Sequence, residues 1–133
     1  MLKKYKLDEI NSIIFNIKPG DIIFLHGDLA SGKTTFSKHI INNLLKINKE
    51  VISPTYTYYN KYLDNIYHFD LYRLSNYQEF FSIGGEEILD NKDNISIIEW
   101  PGILKNYFKP TIEIFFKKLD DLNEREIKIK RIN

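Results

Sequence analysis

The octapeptide GDLASGKT at residues 27–34 constrains this chain more than any other feature, because it matches the pattern G-x-x-x-x-G-K-[ST]. The run IIFL at 22–25 stands just before it and is typical of a strand that is buried on both faces. The segment 34–47 follows and places apolar residues on one helical face: Phe36, Ile40, Ile41, Leu44 and Leu45. The sequence therefore predicts a strand–loop–helix unit around this loop.

A loop of this composition is suited to holding phosphate groups. Its glycines let the backbone approach an anion closely, successive N–H groups point into one concavity, and the next helix directs its positive end there. We expect Lys33 to reach the β- and γ-phosphates, Thr34 to ligate magnesium, and Thr35 to lie near the α-phosphate. The predicted nucleotide-binding residues are Gly27, Asp28, Leu29, Ala30, Ser31, Gly32, Lys33, Thr34 and Thr35. A chance glycine-containing loop is the alternative.

The rest of the chain predicts an α/β fold. Strands are predicted at 53–62, 66–70, 95–99, 111–116 and 126–132. The segment 7–16 is predicted to be a short helix or a partly ordered lead-in, and 76–89 a helix that is interrupted by Gly84 and Gly85. The polar stretch between the last two strands predicts a hairpin. We expect a P-loop NTPase-like architecture, with a mainly parallel central sheet, added antiparallel strands and flanking helices. A chain of 133 residues is most simply one domain, residues 1–133.

Composition narrows the classes of function. The 43% of hydrophobic residues are enough for a core, which argues against disorder, and the net charge of +1 argues against a strongly basic nucleic-acid surface. The absence of cysteine removes disulfides, Cys-ligated zinc and thiol catalysis. The chain has no signal-peptide pattern and no run approaching about 18 apolar residues. We therefore expect a cytoplasmic protein that does not act at a membrane.

Two acidic residues end predicted strands, and the carboxyl ends of parallel strands open into a ligand crevice. Glu99 follows an apolar run, the expected context of an acid that holds magnesium, and Asp70 closes another such run. Either carboxylate is equally well explained as solvating a turn or capping a helix. The hydroxyls of Ser53 and Thr55 stand in a loop that could sense a γ-phosphate or could simply begin a strand.

Four motifs together carry a resemblance to a known family. GDLASGKTTF at 27–36, SPTYT at 53–57, HFDLYRL at 68–74 and IEWPG at 98–102 occur in the order and at the spacings of the TsaE (YjeE) family. The resemblance implies that this chain is the ATPase subunit of the bacterial machinery that makes threonylcarbamoyladenosine in tRNA. It also implies ATP and Mg²⁺ as cofactors, and partners of the TsaB–TsaD type through which any contact with tRNA is indirect.

The resemblance also implies roles for individual residues. The P-loop lysine and threonine of the family bind phosphate and magnesium, and these are Lys33 and Thr34 here. The glutamate of the family's E-W pair helps to hold magnesium, which implies Glu99, and the aspartate of D-L-Y-R is a proposed catalytic acid, which implies Asp70. The predicted catalytic residues are therefore Lys33, Asp70 and Glu99, and the predicted metal ligands are Thr34 and Glu99.

Further positions inherit weaker expectations from the same resemblance. The family's S-P-T loop is switch-like, which implies such a role for Ser53 and Thr55. Trp100 is expected either to shape the site or to pack as an ordinary core or interface indole. Arg73 is expected to serve an ion pair or an interface rather than to act as an arginine finger. Ala30 departs from the family, which usually has glycine there, and alanine would cost about 1 kcal/mol or more if the position requires a positive φ.

Other functions remain open at this point. A small-molecule or nucleotide kinase shares the P-loop but needs an acceptor pocket and usually a cationic lid, for which the chain has few arginines. A GTPase needs an N-K-x-D box, and the segment NKDN at 91–94 misses it. A non-enzymatic module could use ATP only to organise an interface. The three histidines, His26, His39 and His68, show no metal spacing and are expected to be structural or on the surface.

Overall fold

The computed structural model describes residues 1–28, 30–121 and 123–132. Its seven strands are β1 (Leu2–Lys6), β2 (Ile22–His26), β3 (Tyr59–Tyr62), β4 (Ile66–Asp70), β5 (Ile95–Glu99), β6 (Ile112–Lys118) and β7 (Glu124–Arg131). Its helices are α1 (Lys33–His39), α2 (Tyr77–Ser82) and α3 (Gly85–Asp90), with 3-10 turns at Leu7–Ser12 and Pro101–Leu104. A π-helical turn at Ile40–Leu44 continues α1.

All seven strands form one sheet, in the order β1-β7-β6-β2-β5-β4-β3. The strands at its centre are parallel, because β2 pairs with both β5 and β6 in this sense and β4 pairs with β5. Every residue of β5 is buried, as are the first four of β2. Parallel strands covered on both faces require such continuous burial, so the apolar runs correctly predicted these central strands.

The edges of the sheet are antiparallel. The β6–β7 hairpin and the pairing of β1 with β7 form one edge, and β3 pairs with β4 at the other. The predicted α/β class, with a mainly parallel sheet and added antiparallel strands, is therefore confirmed. The strand β1 was not predicted, and the helix expected at 7–16 is only the 3-10 turn Leu7–Ser12.

Helices cover both faces of this sheet. On one face, α1 and the turn after it bury Phe36 and Ile40 against Ile97 of β5. On the other face, Phe80 of α2 packs with Phe69 of β4 in a second apolar cluster. Since side chains alternate between faces along a strand, odd-numbered residues of β5 point toward α1, and its last residue, Glu99, therefore points the same way.

The structure tests two further predicted elements. The helix expected over 76–89 was predicted with an interruption at Gly84 and Gly85, and it is divided at Gly84, which has a φ of 85° and separates α2 from α3. The strand expected over 53–62 begins only at Tyr59. Before it, the Tyr58 amide donates to the Pro54 carbonyl at 2.8 Å and Tyr58 has a φ of 68°, so the chain turns there instead of extending. Among the described residues, no helix has the length and apolar character needed to cross a membrane.

Candidate functional site

A pocket of about 260 Å³ lies at the carboxyl ends of β2, β5 and β4. It brings together residues from four separate parts of the chain, all of them singled out in the sequence. Its lining residues are Ala30, Ser31, Gly32, Lys33, Thr34, Ser53, Thr55, Asp70, Glu99 and Trp100. The adjacent β2, β5 and β4 each end here, so the sheet order explains why segments far apart in sequence meet at one place.

The remaining predicted residues lie outside this lining. Gly27 and Asp28 form the start of the loop, and Thr35 is exposed on α1. Leu29 lies outside the described residues. The Arg73 guanidinium stacks over the ring of the exposed Tyr56 at 4.6 Å, away from the pocket lining. The role expected for Arg73, in an ion pair or at an interface, stays a prediction.

The backbone of the loop explains two of its glycines. A Cβ on Gly27 would lie 2.5 Å from Ser31 Oγ and 3.1 Å from Phe116 Cβ, so a side chain there would crowd the loop where it leaves β2 beside β6. Gly32 has a φ of 106° at the start of α1, a conformation that L side chains rarely adopt. Ala30 also has a positive φ, of 59°. Alanine at this position therefore carries the cost of about 1 kcal/mol or more that a side chain incurs in this conformation.

Arg125 holds this loop from the C-terminal hairpin. From β7, its Nε donates to the Ser31 carbonyl at 3.1 Å and its Nη2 donates to the Ala30 carbonyl at 3.3 Å. The side chain is only 9% exposed. A planar guanidinium is suited to holding two carbonyl groups in one fixed geometry. Sequence reasoning missed Arg125, because its role depends on how the distant hairpin packs and no local pattern marks it.

Lys33 lines the pocket, and its ammonium has three close neighbours. Its Nζ donates to the carbonyls of Gly27 and Asp28, the second at 2.9 Å, and lies 3.9 Å from the centre of the Trp100 ring. Burial lowers the pKa of Lys33 below its usual value, although the negative charges of Glu99, Asp70 and Asp28 oppose that shift. The cation is therefore held by loop carbonyls and one aromatic face, and Trp100 contributes directly to the shape of the site.

Glu99 is the most densely hydrogen-bonded carboxylate of the pocket. Its Oε1 accepts from Thr34 Oγ1 at 2.9 Å, and its Oε2 accepts from His68 Nε2 at 2.6 Å. Ser37 Oγ lies 3.2 Å from Oε2. Glu99 is 2% exposed, and a carboxylate that is so deeply buried needs donors of this kind to remain charged. Sequence reasoning did not associate Ser37 or His68 with the site.

Asp70 lies beside Glu99, since the two residues are paired in the β4–β5 register. Its Oδ1 accepts from the Tyr72 amide at 3.0 Å. Burial raises the pKa of Asp70, and the nearby Glu99 charge raises it further, while the Tyr72 amide, His68 and Lys33 act in the opposite direction. The two acids therefore differ in environment, because Glu99 is enclosed by donors and Asp70 lines the pocket with fewer of them.

The segment that carries Ser53 and Thr55 closes another side of the pocket. Their hydroxyl oxygens lie 2.8 Å apart, and the Asp70 amide donates to the Tyr58 carbonyl at the end of the same turn, at 2.9 Å. The hydroxyls are thus on an exposed turn that is fastened to the strand end bearing Asp70. This placement differs from a simple strand entry, the alternative considered for these residues.

The donor set indicates what the pocket can bind. Within the part of the chain that the structure describes, no group of three or more His, Cys, Asp or Glu residues could hold a metal ion. Thr34 and Glu99 instead offer a hydroxyl and a carboxylate oxygen side by side. Mg²⁺ commonly binds proteins through one or two such oxygens and completes its shell with water and phosphate. The residues present fit a magnesium–phosphate group better than a metal held by protein alone.

Comparisons with known proteins agree on one family. The sequence model described as "Threonylcarbamoyl adenosine biosynthesis protein TsaE" matches residues 3–127. The chain is 41% identical over 122 residues to the "tRNA threonylcarbamoyladenosine biosynthesis protein TsaE" of Rickettsia typhi, covering 89% of this chain and 83% of that relative. It is 35% identical over 114 residues to the TsaE protein of Bacillus subtilis, covering 83% of this chain and 69% of the relative.

A solved structure supports the same assignment at the level of the fold. The crystal structure of Bacillus subtilis YdiB superposes with a TM-score of 0.71 at 27% sequence identity. The superposition covers 100% of this chain and 88% of that one. The predicted P-loop NTPase-like fold and the resemblance based on the four motifs are therefore both confirmed.

Replacing Ala30 by glycine should stabilise the protein. Glycine adopts a positive φ without the Cβ penalty of about 1 kcal/mol, while its greater freedom in the unfolded chain offsets part of the gain. We expect the free energy of unfolding, measured in urea, to rise by up to about 1 kcal/mol. Lys105→Gly, at an exposed position with a φ of −51°, is the control and should lose about 0.5–1 kcal/mol. Equal losses in both variants would show that Ala30 is not strained.

Asp70→Asn should raise the free energy of unfolding at neutral pH. Because the folded-state pKa of Asp70 is raised, the folded protein binds the proton more tightly, and stability falls as pH rises above the ordinary value of 3.8. The free energy of unfolding of the variant should therefore exceed that of the wild-type protein by an amount that grows as pH rises above 3.8 and levels off above the raised pKa. Urea unfolding between pH 4 and pH 8 measures it, with the exposed Asp64→Asn as control. An advantage that does not depend on pH would contradict the prediction.

Proposed function

Since this chain belongs to the TsaE family, whose role lies in tRNA threonylcarbamoyladenosine biosynthesis, we propose that it is the ATP-binding, magnesium-dependent ATPase subunit of that process. The observation that carries the proposal is the meeting of Lys33, Thr34 and Glu99 in one pocket at the carboxyl end of the central sheet. Phosphoryl transfer in a P-loop fold uses three such groups: the loop lysine, a hydroxyl that ligates magnesium and an acid close to it.

The loop supports binding of the triphosphate. Ala30, Ser31 and Gly32 line the pocket together with Lys33 and Thr34 at the start of α1. A loop that precedes a helix in this way can offer backbone amides and an ammonium to one anion. Its volume of about 260 Å³ is below the range of about 300–1,000 Å³ typical of pockets that enclose a whole small ligand. We infer that the pocket encloses the phosphates and that the nucleoside lies outside it.

Lys33 and Glu99 have separate tasks in this proposal. Lys33 exchanges the carbonyls of Gly27 and Asp28 for phosphate oxygens and stabilises the negative charge of the transferring group. Thr34 and Glu99 would hold Mg²⁺ through the hydroxyl oxygen and Oε1, which already lie 2.9 Å apart. A metal ion held by these two residues would supply positive charge that neutralises the phosphate.

Asp70 is the group best placed to orient an attacking water. It lines the pocket next to Glu99, and its raised pKa brings it closer to the range in which a carboxylate accepts a proton effectively. Hydrolysis then forms a bond between the water oxygen and the γ-phosphorus, breaks the bond to the bridging oxygen of ADP, and passes the water proton to Asp70 or to phosphate. Ser53 and Thr55 face the same cavity and would respond to the presence of the γ-phosphate.

Variants at Lys33 and Glu99 should separate binding from turnover. Lys33→Ala should abolish binding of Mg-ATP in calorimetric titrations, because the loop loses its phosphate cation. Glu99→Ala should keep much of the binding but lower phosphate release by about a hundredfold or more, since metal stabilisation of the transition state is worth several kcal/mol. Lys38→Ala removes an exposed lysine of the same helix and is the matched control, with no expected effect. Normal hydrolysis by Glu99→Ala would contradict the metal assignment.

Partner proteins should determine the rate. We propose that a complex of the TsaB–TsaD type binds this subunit, that any contact with tRNA is indirect, and that the loop at residues 53–56 changes during the ATP cycle. Phosphate release should therefore be slow for the protein alone and faster when the two partner proteins from the same organism are added. The same assay with added nucleosides and nucleotides tests the alternative of a kinase. Phosphate transfer to an added nucleoside or nucleotide would contradict the proposal. Fast ATP turnover whose rate does not change when the partner proteins are added would also contradict it.

A further inference from the structure

His68 is a buried residue that the proposed reaction does not yet use. It lies on β4 two residues before Asp70, so the two side chains share the face of the sheet that α1 covers. The imidazole is 0% exposed, and its Nε2 lies 2.6 Å from Glu99 Oε2. A fully buried polar ring in contact with the proposed metal-binding carboxylate needs a reason beyond filling space, since an apolar residue could pack there without the cost of desolvation.

The two oxygens of Glu99 have different neighbours. Oε1 faces the pocket residue Thr34, at 2.9 Å from its hydroxyl. Oε2 is on the buried side, near His68 and Ser37. The Ser37 hydroxyl has a single proton and lies closer to the Lys33 carbonyl, at 2.9 Å, than to Oε2, at 3.2 Å. His68 is therefore the principal donor to the buried oxygen.

The hydrogen-bond network also assigns the proton of the ring. Nδ1 of His68 is buried and has no hydrogen-bond partner among the described residues. A proton on Nδ1 would be buried without an acceptor, which is costly, whereas a proton on Nε2 meets a carboxylate. The geometry therefore assigns a proton to Nε2, which donates to Glu99 Oε2.

We propose that His68 is a positioning residue that anchors Oε2 of Glu99 and so keeps Oε1 directed at the metal beside Thr34. This inference rests on the proposed function, because it concerns the Mg²⁺ that Thr34 and Glu99 would hold. Without the anchor, the carboxylate can rotate, and neither oxygen remains fixed at the pocket. Loss of a residue that orients a metal ligand typically costs about 10–100-fold in metal affinity or activity.

An isosteric pair of variants tests this role. Gln places an amide N–H close to the position of the imidazole Nε2, whereas Met has the same length and no donor. The measurement is the binding of a fluorescent ATP analogue at increasing Mg²⁺ concentrations, and the Mg²⁺ midpoint is the concentration at which half of the gain in affinity is reached. In His68→Met, we expect this midpoint to rise by about 10–100-fold. Analogue binding in EDTA should not change, since the phosphate loop is intact. His68→Gln should recover most of the Mg²⁺ response, which a merely structural role would not produce.

His39→Met provides the matched control. His39 is also buried, at 3% exposure, and its Nε2 lies 2.7 Å from the Ile13 carbonyl, away from Glu99. Its replacement should leave the Mg²⁺ midpoint unchanged. Thermal unfolding checks that each variant is folded, and His68→Asn, whose amide is too short to reach Glu99, replaces His68→Met if that variant does not fold.

The outcomes distinguish this inference from the proposed function. An unchanged Mg²⁺ midpoint in His68→Met, or equal shifts in the Gln and Met variants, would overturn the role of His68 while the wild-type response to Mg²⁺ remains. Nucleotide binding by the wild-type protein that does not respond to Mg²⁺ at all would overturn the metal assignment of Glu99, and the role of His68 with it. A shift in His68→Met that is reversed in His68→Gln and absent in His39→Met supports the inference.

Discussion

The buried carboxylate of Glu99 is the interaction on which the site depends. An ionised carboxylate removed from water costs several kcal/mol unless donors replace the lost hydration. Here Thr34 comes from the phosphate loop and its helix, and His68 comes from the neighbouring strand. The same bonds therefore satisfy the charge and fasten α1 to the carboxyl ends of β4 and β5. The geometry of the candidate site and the docking of its helix are consequences of one network.

The phosphate loop also depends on a part of the fold that a P-loop pattern does not include. Two consecutive loop carbonyls, those of Ala30 and Ser31, accept from Arg125 on β7. Ala30 has a positive φ, and strained backbone persists only where its surroundings over-determine it. The antiparallel β6–β7 hairpin thus contributes to the site, because Arg125 on β7 fixes the carbonyls of two residues that line the pocket.

The sequence predicted those features that local patterns carry. Apolar runs located the parallel strands, and the strand-end position of Asp70 and Glu99 predicted that both acids would meet the loop, where the structure places them. Features that depend on tertiary packing could not be predicted from the sequence. The Thr and Tyr residues at 53–58 alternate as a strand does, yet a hydrogen bond from Tyr58 to Pro54 closes a turn. No local pattern marks Arg125, since it acts on the loop from β7. His68 is the first residue of the motif at 68–74, but its role depends on a contact with Glu99 that the sequence does not specify.

The charged groups of the site already have partners within the protein. The Lys33 ammonium is held by the carbonyls of Gly27 and Asp28 and by the Trp100 ring, and Thr34 donates to Glu99. In the proposed cycle, a nucleotide must therefore exchange these internal bonds for its own, and the net gain is smaller than the sum of the new contacts. A ligand can change the equilibrium between the internally bonded arrangement and the nucleotide-bonded one only as far as it binds the second more tightly than the first. This cost provides a physical reason why the proposed hydrolysis would be slow in the protein alone and faster with the proposed partners.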